Sequence, residues 1–186
     1  MTSQAFKAFI FDLDGTLVDS AAIVERVMRQ WCLENGIAYE DVQKSSRSSR
    51  TEDTVREIAP HLDAKREGEK VEEAERAALS GLVEVRGAAD LLSRLPDERW
   101  AVATSSEYAT AQAKLTAAGL PVPDVLIGAD QVQHGKPHPE AYFSAASGLG
   151  FAPADCPVFE DSDTGVKSAL SAGCGDILWR SSQWWP

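Results

Sequence analysis

Short apolar runs alternate with amphipathic segments along most of the chain. The first run, Phe6–Phe11, is compact and aromatic and ends at acidic residues and a glycine, which is typical of a buried strand. From residue 83 onward, strand-like runs alternate with helical segments of about ten residues. The predicted strands are WAVATS (100–105), VLIGAD (125–130) and PVFED (157–161). The predicted helices are GAADLLSRLP (87–96), YATAQAKLTAAG (108–119), PEAYFSAASGLG (139–150) and TGVKSALSAG (164–173).

The segment between the first two strands has a different pattern, which is helical and polar. Residues 21–36 place apolar side chains at helical spacing and stop at Asn35-Gly36. A second helix is predicted before Pro60, where Ser49 and Glu52 have the spacing of a capping box. A third, charged and alanine-rich, stops at Gly81. Residues 20–82 are therefore expected to form a helical insertion.

Alternating strands and helices predict βαβ units and a parallel sheet with helices on both faces. The fold class expected is α/β, with a doubly wound core formed by residues 1–19 and 83–186. The helical insertion leaves from the C-terminal end of the first strand. Because ligands of open α/β sheets bind at that end of the strands, the insertion is placed to act as a cap over a site.

Charge and cysteine content narrow the range of partners. The 186 residues include 18 Lys and Arg against 29 Asp and Glu, a net charge of −11, which argues against nucleic acid or an anionic membrane as partner. The apolar N-terminal stretch is too short for a signal peptide or a membrane span. Cys32, Cys156 and Cys174 lack the spacing of a zinc or redox site. These features indicate a cytoplasmic protein whose cysteines are small buried hydrophobes.

Candidate chemistry begins with Asp12 and Asp14 at the end of the first strand. Residues two apart on an extended backbone point to the same side, and two like charges there are costly unless a cation joins them or one carboxyl keeps its proton. Acidic or hydroxyl side chains also follow the other predicted strands, and we expect them to converge at the same sheet edge. They are Thr104 and Ser105, Asp130, and Glu160 with Asp161.

The sequence contains four motifs in the order and at approximately the spacing of the four motifs of the haloacid dehalogenase superfamily. They are DLDGTLVDS, ATSS, GKPHPEAY and FEDSDTG. The chain resembles this family from about Phe6 to Gly173, and within it the small-metabolite phosphatases with a C1-type cap. That branch includes the glycerol-phosphate and sugar-phosphate phosphatases and is related to β-phosphoglucomutase. The resemblance implies a Rossmann-like core with a small helical cap inserted after the first strand.

A phosphate monoester is a dianion that resists anionic nucleophiles, so an attacking carboxylate needs a cation and fixed positive donors. In this interpretation Asp12 is the nucleophile that forms an aspartyl-phosphate, and Asp14 protonates the leaving alcohol and later activates water. The resemblance implies Mg²⁺ as cofactor, held by the Asp12 carboxylate, the Asp14 carbonyl and Asp161, with Glu160 contributing. Asp163 is expected either to support these ligand residues without binding the metal itself or to cap the helix that follows.

Phosphate binding is assigned to Thr104 and Ser105 after a strand, and to Lys136, whose charge would offset Asp12 and the phosphate. In the insertion, Arg47 and Arg50 are expected on the substrate-facing loop, where they would set specificity. A polar solvated loop is the alternative for this segment. Trp184 and Trp185 near the C-terminus are expected either to pack on the sheet edge or to form an oligomer contact.

The function expected is a Mg²⁺-dependent phosphatase acting on a small phosphorylated metabolite such as a sugar, polyol or glycerol phosphate. Two alternatives stay open: a β-phosphoglucomutase-like isomerase, and a noncatalytic module that binds phosphorylated metabolites. A dehalogenase is disfavoured because cleavage of a carbon–halogen bond needs no protonated leaving alcohol. The protein is expected to be a monomer or a homodimer.

Overall fold

A computed structural model describes residues 6–45 and 49–179. In this part of the chain, five parallel strands form one sheet in the order β3-β2-β1-β4-β5. The strands are β1 (Phe9–Phe11), β2 (Trp100–Ala103), β3 (Leu126–Ile127), β4 (Val158–Glu160) and β5 (Ile177–Trp179). The central position of β1 brings the ends of β2 and β4 to either side of Asp12, which directly follows β1.

Side chains alternate between two cores, one on each face of the sheet. On β2, Trp100 and Val102 join the core covered by helices α5 (Ala88–Leu92) and α6 (Tyr108–Ala117). Ala101 and Ala103 join the core on the opposite face. That face is covered by α7 (Glu140–Gly148) and α8 (Asp163–Ala172). The expected doubly wound α/β fold is confirmed, because both faces of a parallel sheet are covered.

Four helices lie between β1 and β2. They are α1 (Ala21–Asn35), α2 (Tyr39–Lys44), α3 (Thr51–Ile58) and α4 (Ala64–Ala77). As predicted, α1 stops at Gly36, which adopts the left-handed conformation with φ 66°. The buried side chains of a third core all belong to these helices and their connections. They are Val27, Met28, Trp31, Cys32, Val55, Ala59 and Val71.

Two local predictions differ from the structure, and one helix was missed. The capping box is wrong, because α3 begins at Thr51 and its N-cap is Arg50, whose guanidinium is bound to the Asp53 carboxylate. Helix α2 was not predicted, since it buries none of its residues and so lacks an apolar periodicity. The N-cap of α8 is Ser162, which accepts a hydrogen bond from the Gly165 backbone, whereas Asp163 is exposed.

The cysteines agree with the sequence interpretation. All three thiols are free, Cys32 and Cys156 are buried, and Cys174 is partly buried. Among the described residues, the helices are too short or too polar to cross a membrane. Trp184 and Trp185 lie outside the described residues, so their predicted packing is not addressed by the structure.

Candidate active site

Asp12 lies at the C-terminal end of the central strand and is only 4% exposed. Its Oδ1 accepts a hydrogen bond of 2.7 Å from Nζ of Lys136, which reaches it from the loop before α7. Burial raises the pKa of Asp12; Lys136 opposes this, while the neighbouring Glu160 and Asp161 carboxylates add to it. A buried carboxylate with one ammonium partner and two acidic neighbours needs further positive charge to stay ionised.

Glu160 holds Lys136 in place. Its Oε1 accepts hydrogen bonds of 2.7 Å from both Lys136 and the hydroxyl of Tyr142. Its Oε2 accepts three more, from the backbone of Asp161 and from the backbone and hydroxyl of Ser162. Five donors match or exceed the roughly four lone-pair sites of a carboxylate, so protein groups already satisfy Glu160, whose carboxylate nevertheless lies in the acidic cluster beside Asp12.

Asp161 differs from Glu160 in its hydrogen bonding. Its Oδ1 is buried and has no hydrogen-bond partner among the described residues, and burial together with Glu160 raises its pKa to about 6. Carboxylate oxygens of Asp12, Glu160 and Asp161 lie within 4.8 Å of one another. An unpartnered buried oxygen within a cluster of hard oxygen donors fits a divalent cation such as Mg²⁺.

Asp14 is surrounded by donors. Its carboxylate accepts hydrogen bonds from the hydroxyls of Ser20 (2.5 Å) and Ser106 (3.0 Å) and from Nζ of Lys114 (2.7 Å). Desolvation acts to raise the pKa of Asp14, but the Lys114 charge and these hydrogen bonds outweigh it, and the pKa is lowered. The carboxylate is therefore ionised and fixed in orientation.

Lys114 is a site residue that the sequence analysis missed. It is 1% exposed, and its ammonium also contacts Oε2 of Glu75 on α4 at 2.8 Å, which joins the insertion to the core. The overlooked signal is its position on α6, three residues after Ala111 and one before Leu115, on the buried face of the helix. A lysine there needs an anionic partner.

The second motif contributes hydroxyl groups. Thr104 and Ser105 both line the cavity beside Asp12 and Asp14, as does Ser106, which the sequence analysis did not single out. The backbone N–H of Thr104 donates to Ile127 in the sheet, so its hydroxyl is the donor it presents to a ligand. That hydroxyl also accepts a hydrogen bond from the Ser106 backbone at 3.1 Å.

A cavity of about 430 Å³ opens above these groups, between the sheet edge and the helical insertion. The insertion contributes a mixture of hydroxyl, carboxylate, amide and apolar side chains. They are Ser20, Ala21, Val24, Glu25, Met28, Tyr39, Val42, Gln43, Ser45, Ser49, Thr51, Thr54, Glu72 and Glu75. Among the described lining residues, the only cationic side chain is Lys114 of the core.

The structure does not bring Arg50 into this cavity. Its guanidinium binds the Asp53 carboxylate and the backbone carbonyls of Val132 and Gln133 on a core loop. Arg50 instead lines a second cavity, next to the exposed Asp130, whose carboxylate accepts from the Tyr108 backbone. Arg47 lies outside the described residues.

Two glycines permit the close approach of acidic groups. Gly15 has φ 85°, and a Cβ there would overlap the Asp161 carboxylate. A Cβ at Gly165 would overlap Glu160. These overlaps explain why the first and fourth motifs each contain a glycine beside their carboxylates.

Comparison with known proteins supports one family. Residues 6–173 match the haloacid dehalogenase-like hydrolase family. Hexitol phosphatase A of Escherichia coli (strain K12) is 39% identical, covering 90% of this chain and 80% of that protein. Glycerol-1-phosphate phosphohydrolase 2 of Saccharomyces cerevisiae is 34% identical, covering 92% of this chain and 74% of that protein.

A solved structure agrees with the fold. A hydrolase from Pseudomonas syringae superposes with a TM-score of 0.79 and 26% identity, covering 90% of this chain and 82% of that chain. Because the family match covers the four motifs and the fold agrees, this chain is an enzyme of the haloacid dehalogenase-like hydrolase family.

Proposed function

We propose that this enzyme is a Mg²⁺-dependent phosphatase that hydrolyses a sugar or polyol phosphate through an aspartyl-phosphate intermediate. The observation that carries the proposal is the position of Asp12 at the cavity wall. It lies between the ammonium of Lys136 and the unpartnered carboxylate oxygen of Asp161, with the fixed Asp14 carboxylate two residues away. This arrangement offers a nucleophile, one fixed positive charge, a carboxylate oxygen that could hold a metal cation, and a proton carrier.

In the first step a carboxylate oxygen of Asp12 attacks phosphorus, and the bond from phosphorus to the ester oxygen breaks. The leaving alkoxide takes a proton from Asp14, which takes up that proton when the dianionic substrate binds, and departs as the alcohol. In the second step Asp14 removes a proton from water, whose oxygen attacks phosphorus and releases Asp12 and inorganic phosphate. The dianionic substrate favours the first proton transfer, because a nearby negative charge raises the pKa of Asp14.

The metal ligands in this proposal are the Asp12 carboxylate, the Asp14 backbone carbonyl and Asp161. When bound, Mg²⁺ offsets negative charge on the phosphoryl oxygens and the carboxylates. Glu160 is assigned a positioning role instead of the metal-ligand role expected from the sequence. Its five hydrogen bonds orient Lys136 toward Asp12 instead of leaving an oxygen for the cation. Thr104 and Ser105 are assigned to the phosphoryl oxygens.

The insertion, residues 20–82, is assigned as the cap, and residues 1–19 and 83–186 as the core. Support comes from the separate apolar core of the insertion and from its many side chains in the cavity wall. The three free thiols fit the reducing cytoplasm in which we place the enzyme.

The lining of the cavity favours a polyhydroxylated leaving group. Carboxylates such as Glu72 and Glu75 accept hydrogen bonds from hydroxyls and repel a second anionic group. The hydroxyls of Ser45 and Thr51, which donate to Val42 and Glu72, can accept from a ligand. The names of the two relatives, a hexitol phosphatase and a glycerol-1-phosphate phosphohydrolase, agree with this class. We expect monophosphates of hexitols, hexoses or glycerol to be better substrates than bisphosphates.

The test is release of inorganic phosphate from a panel of hexitol, hexose and glycerol monophosphates, with Mg²⁺ and after removal of metal by EDTA. Asp12→Asn is expected to abolish turnover, and Asp14→Asn to lower it by about a hundred- to ten-thousand-fold. Asp19→Asn is the matched control, because Asp19 is exposed in the same motif.

Turnover by Asp12→Asn at the wild-type rate would overturn the assignment of the nucleophile. Chromatography of the same reactions separates the alternatives: an isomerised sugar phosphate without phosphate release would indicate a mutase. Saturable binding of these phosphates by the wild-type protein without any product would indicate a noncatalytic module.

A further inference from the structure

The loop that carries Lys136 also carries a cluster of possible metal ligands outside the cavity. The side chains of His134 and His138 on the loop and of Glu140, the first residue of α7, converge there. None of the three lines the cavity beside Asp12. The mechanism proposed above does not use them, and the imidazoles are exposed.

The distances suit a single cation. Nδ1 of His134 lies 3.4 Å from Oε2 of Glu140, and Nδ1 of His138 lies 3.8 Å from the same oxygen. One ligand atom from each of the three residues can be chosen so that all lie within 4.8 Å of one another. In a tetrahedral zinc site with bonds of about 2 Å, ligand atoms are roughly 3.3 Å apart. Small side-chain rotations would therefore complete the three-ligand set.

Glu140 is held in position by the backbone. Its Oε1 accepts from the N–H of Gln133 at 2.8 Å, and its Oε2 accepts from the N–H of His134 at 2.9 Å. These hydrogen bonds orient the carboxylate in the way that outer-shell partners orient metal ligands.

The count of lone pairs also favours a cation. Oε2 has two lone pairs, and the backbone N–H of His134 uses one, so the two Nδ1 atoms face a single remaining acceptor position. The imidazole rings lie with centroids 4.5 Å apart. A cation shared by both nitrogens and the oxygen would contact all three groups at once, which one hydrogen bond to Oε2 cannot do.

We propose that His134, His138 and Glu140 form a second metal site, separate from the carboxylate centre, for a borderline divalent cation such as Zn²⁺. Two imidazole nitrogens and one carboxylate oxygen favour Zn²⁺, Co²⁺ or Ni²⁺ over Mg²⁺, which prefers oxygen ligands alone. Water would fill the remaining coordination position. Because residues 134, 138 and 140 flank Lys136, a bound cation would restrain the loop that positions its ammonium 2.7 Å from Asp12.

The chain has only three histidines, which makes a direct spectroscopic test possible. Tag-free, ¹⁵N-labelled protein is saturated with Mg²⁺ to occupy the carboxylate centre, and Zn²⁺ is then added while the imidazole nitrogens are followed by long-range ¹H–¹⁵N NMR. We expect the resonances of His134 and His138 to change and to saturate at one equivalent, with His61 unaffected. His61 is the internal control, since it is exposed on the insertion.

Isothermal titration calorimetry with Zn²⁺ in excess Mg²⁺ gives the affinity of each variant. His134→Gln and His138→Gln are each expected to weaken Zn²⁺ binding at least about tenfold, Glu140→Gln to weaken it similarly, and His61→Gln to leave it unchanged. The histidine variants keep the test valid if Glu140→Gln disturbs the loop. Zn²⁺ binding that is absent, or equal in wild type and both histidine variants, would overturn the proposal without bearing on phosphatase activity.

Discussion

The ammonium of Lys114, which is buried beneath the insertion, lies 2.7 Å from Oδ1 of the partly exposed Asp14. The same ammonium contacts Ser106 at 3.0 Å and Glu75 at 2.8 Å. One lysine of α6 thus orients the proposed proton carrier and also binds the helix that forms one wall of the cavity. The proton-transfer geometry and the docking of the insertion therefore depend on a shared contact.

Lys114→Met is expected to slow hydrolysis of alkyl phosphates by roughly ten- to a hundredfold, because the proton carrier loses its orienting partner. Aryl phosphates should be less affected, since a phenolate leaves without full protonation. The measurement is kcat/KM for a hexitol phosphate and for p-nitrophenyl phosphate. Lys114→Arg, which keeps the charge, should recover part of the loss. An equal decrease for both substrates would indicate a structural role only.

The stability of the protein should depend on the titration of Glu75. Burial raises the pKa of Glu75 from 4.5 to about 7; Lys114 opposes the increase, and Asp14 and Glu72 add to it. The folded state therefore binds this proton more tightly than the unfolded state. The contribution of Glu75 to the free energy of unfolding is largest below pH 4.5 and falls by roughly 3 kcal/mol as the pH rises through 7.

Glu75→Gln should remove this decrease. Urea unfolding of wild type and variant between pH 4.5 and 8 gives two curves, and their difference isolates Glu75 from the other carboxylates. Glu73→Gln is the control, because Glu73 is exposed on the same helix. Parallel wild-type and Glu75→Gln curves would contradict the raised pKa.

Gly15→Ala should weaken metal binding. A Cβ at Gly15 would overlap the Asp161 carboxylate and displace it from its position beside Asp12. We expect the affinity for Mg²⁺ and kcat/KM each to fall by at least about tenfold. Gly36→Ala is the control, since Gly36 also has a positive φ but its Cβ would meet nothing within 4 Å. Both variants should lose stability, and equal Mg²⁺ affinity in the two would show that backbone strain is the whole effect.

Arg50→Ala should alter all substrates alike. The structure places its guanidinium between Asp53 and the backbone carbonyls of the core loop, so it links the insertion to the core instead of facing the cavity. We expect kcat/KM for hexitol, glycerol and aryl phosphates to fall by a common factor. Arg56→Ala is the control, because Arg56 binds Asp53 and Glu52 within α3. A selective loss for one substrate class would restore the specificity role expected from the sequence.

Much of the architecture was determined by the sequence itself. The alternation of Trp100, Val102 and their alanine neighbours assigns each side chain to one face of the sheet. The stop at Gly36 follows from a conformation that glycine adopts without steric cost. The pairing of Asp12 with a lysine after a later strand was also anticipated, because the carboxyl ends of parallel strands share one edge. Such features are local or follow directly from the order of the elements.

Only the tertiary structure determined which charged side chains of the insertion pair with charged side chains of the core. Lys114 and Glu75 lie 39 positions apart with no local pattern to connect them, and Lys114 is buried because Asp14 and Glu75 both pair with its ammonium. Arg50 was expected in the cavity because of its place in the chain, yet Asp53 and two core carbonyls bind it elsewhere. Long charged side chains have several reachable partners, and the packing of the helices selects among them. Sequence therefore identified the chemical groups at the strand ends, whereas the packing of α4 against α6 decided how the proton carrier is held.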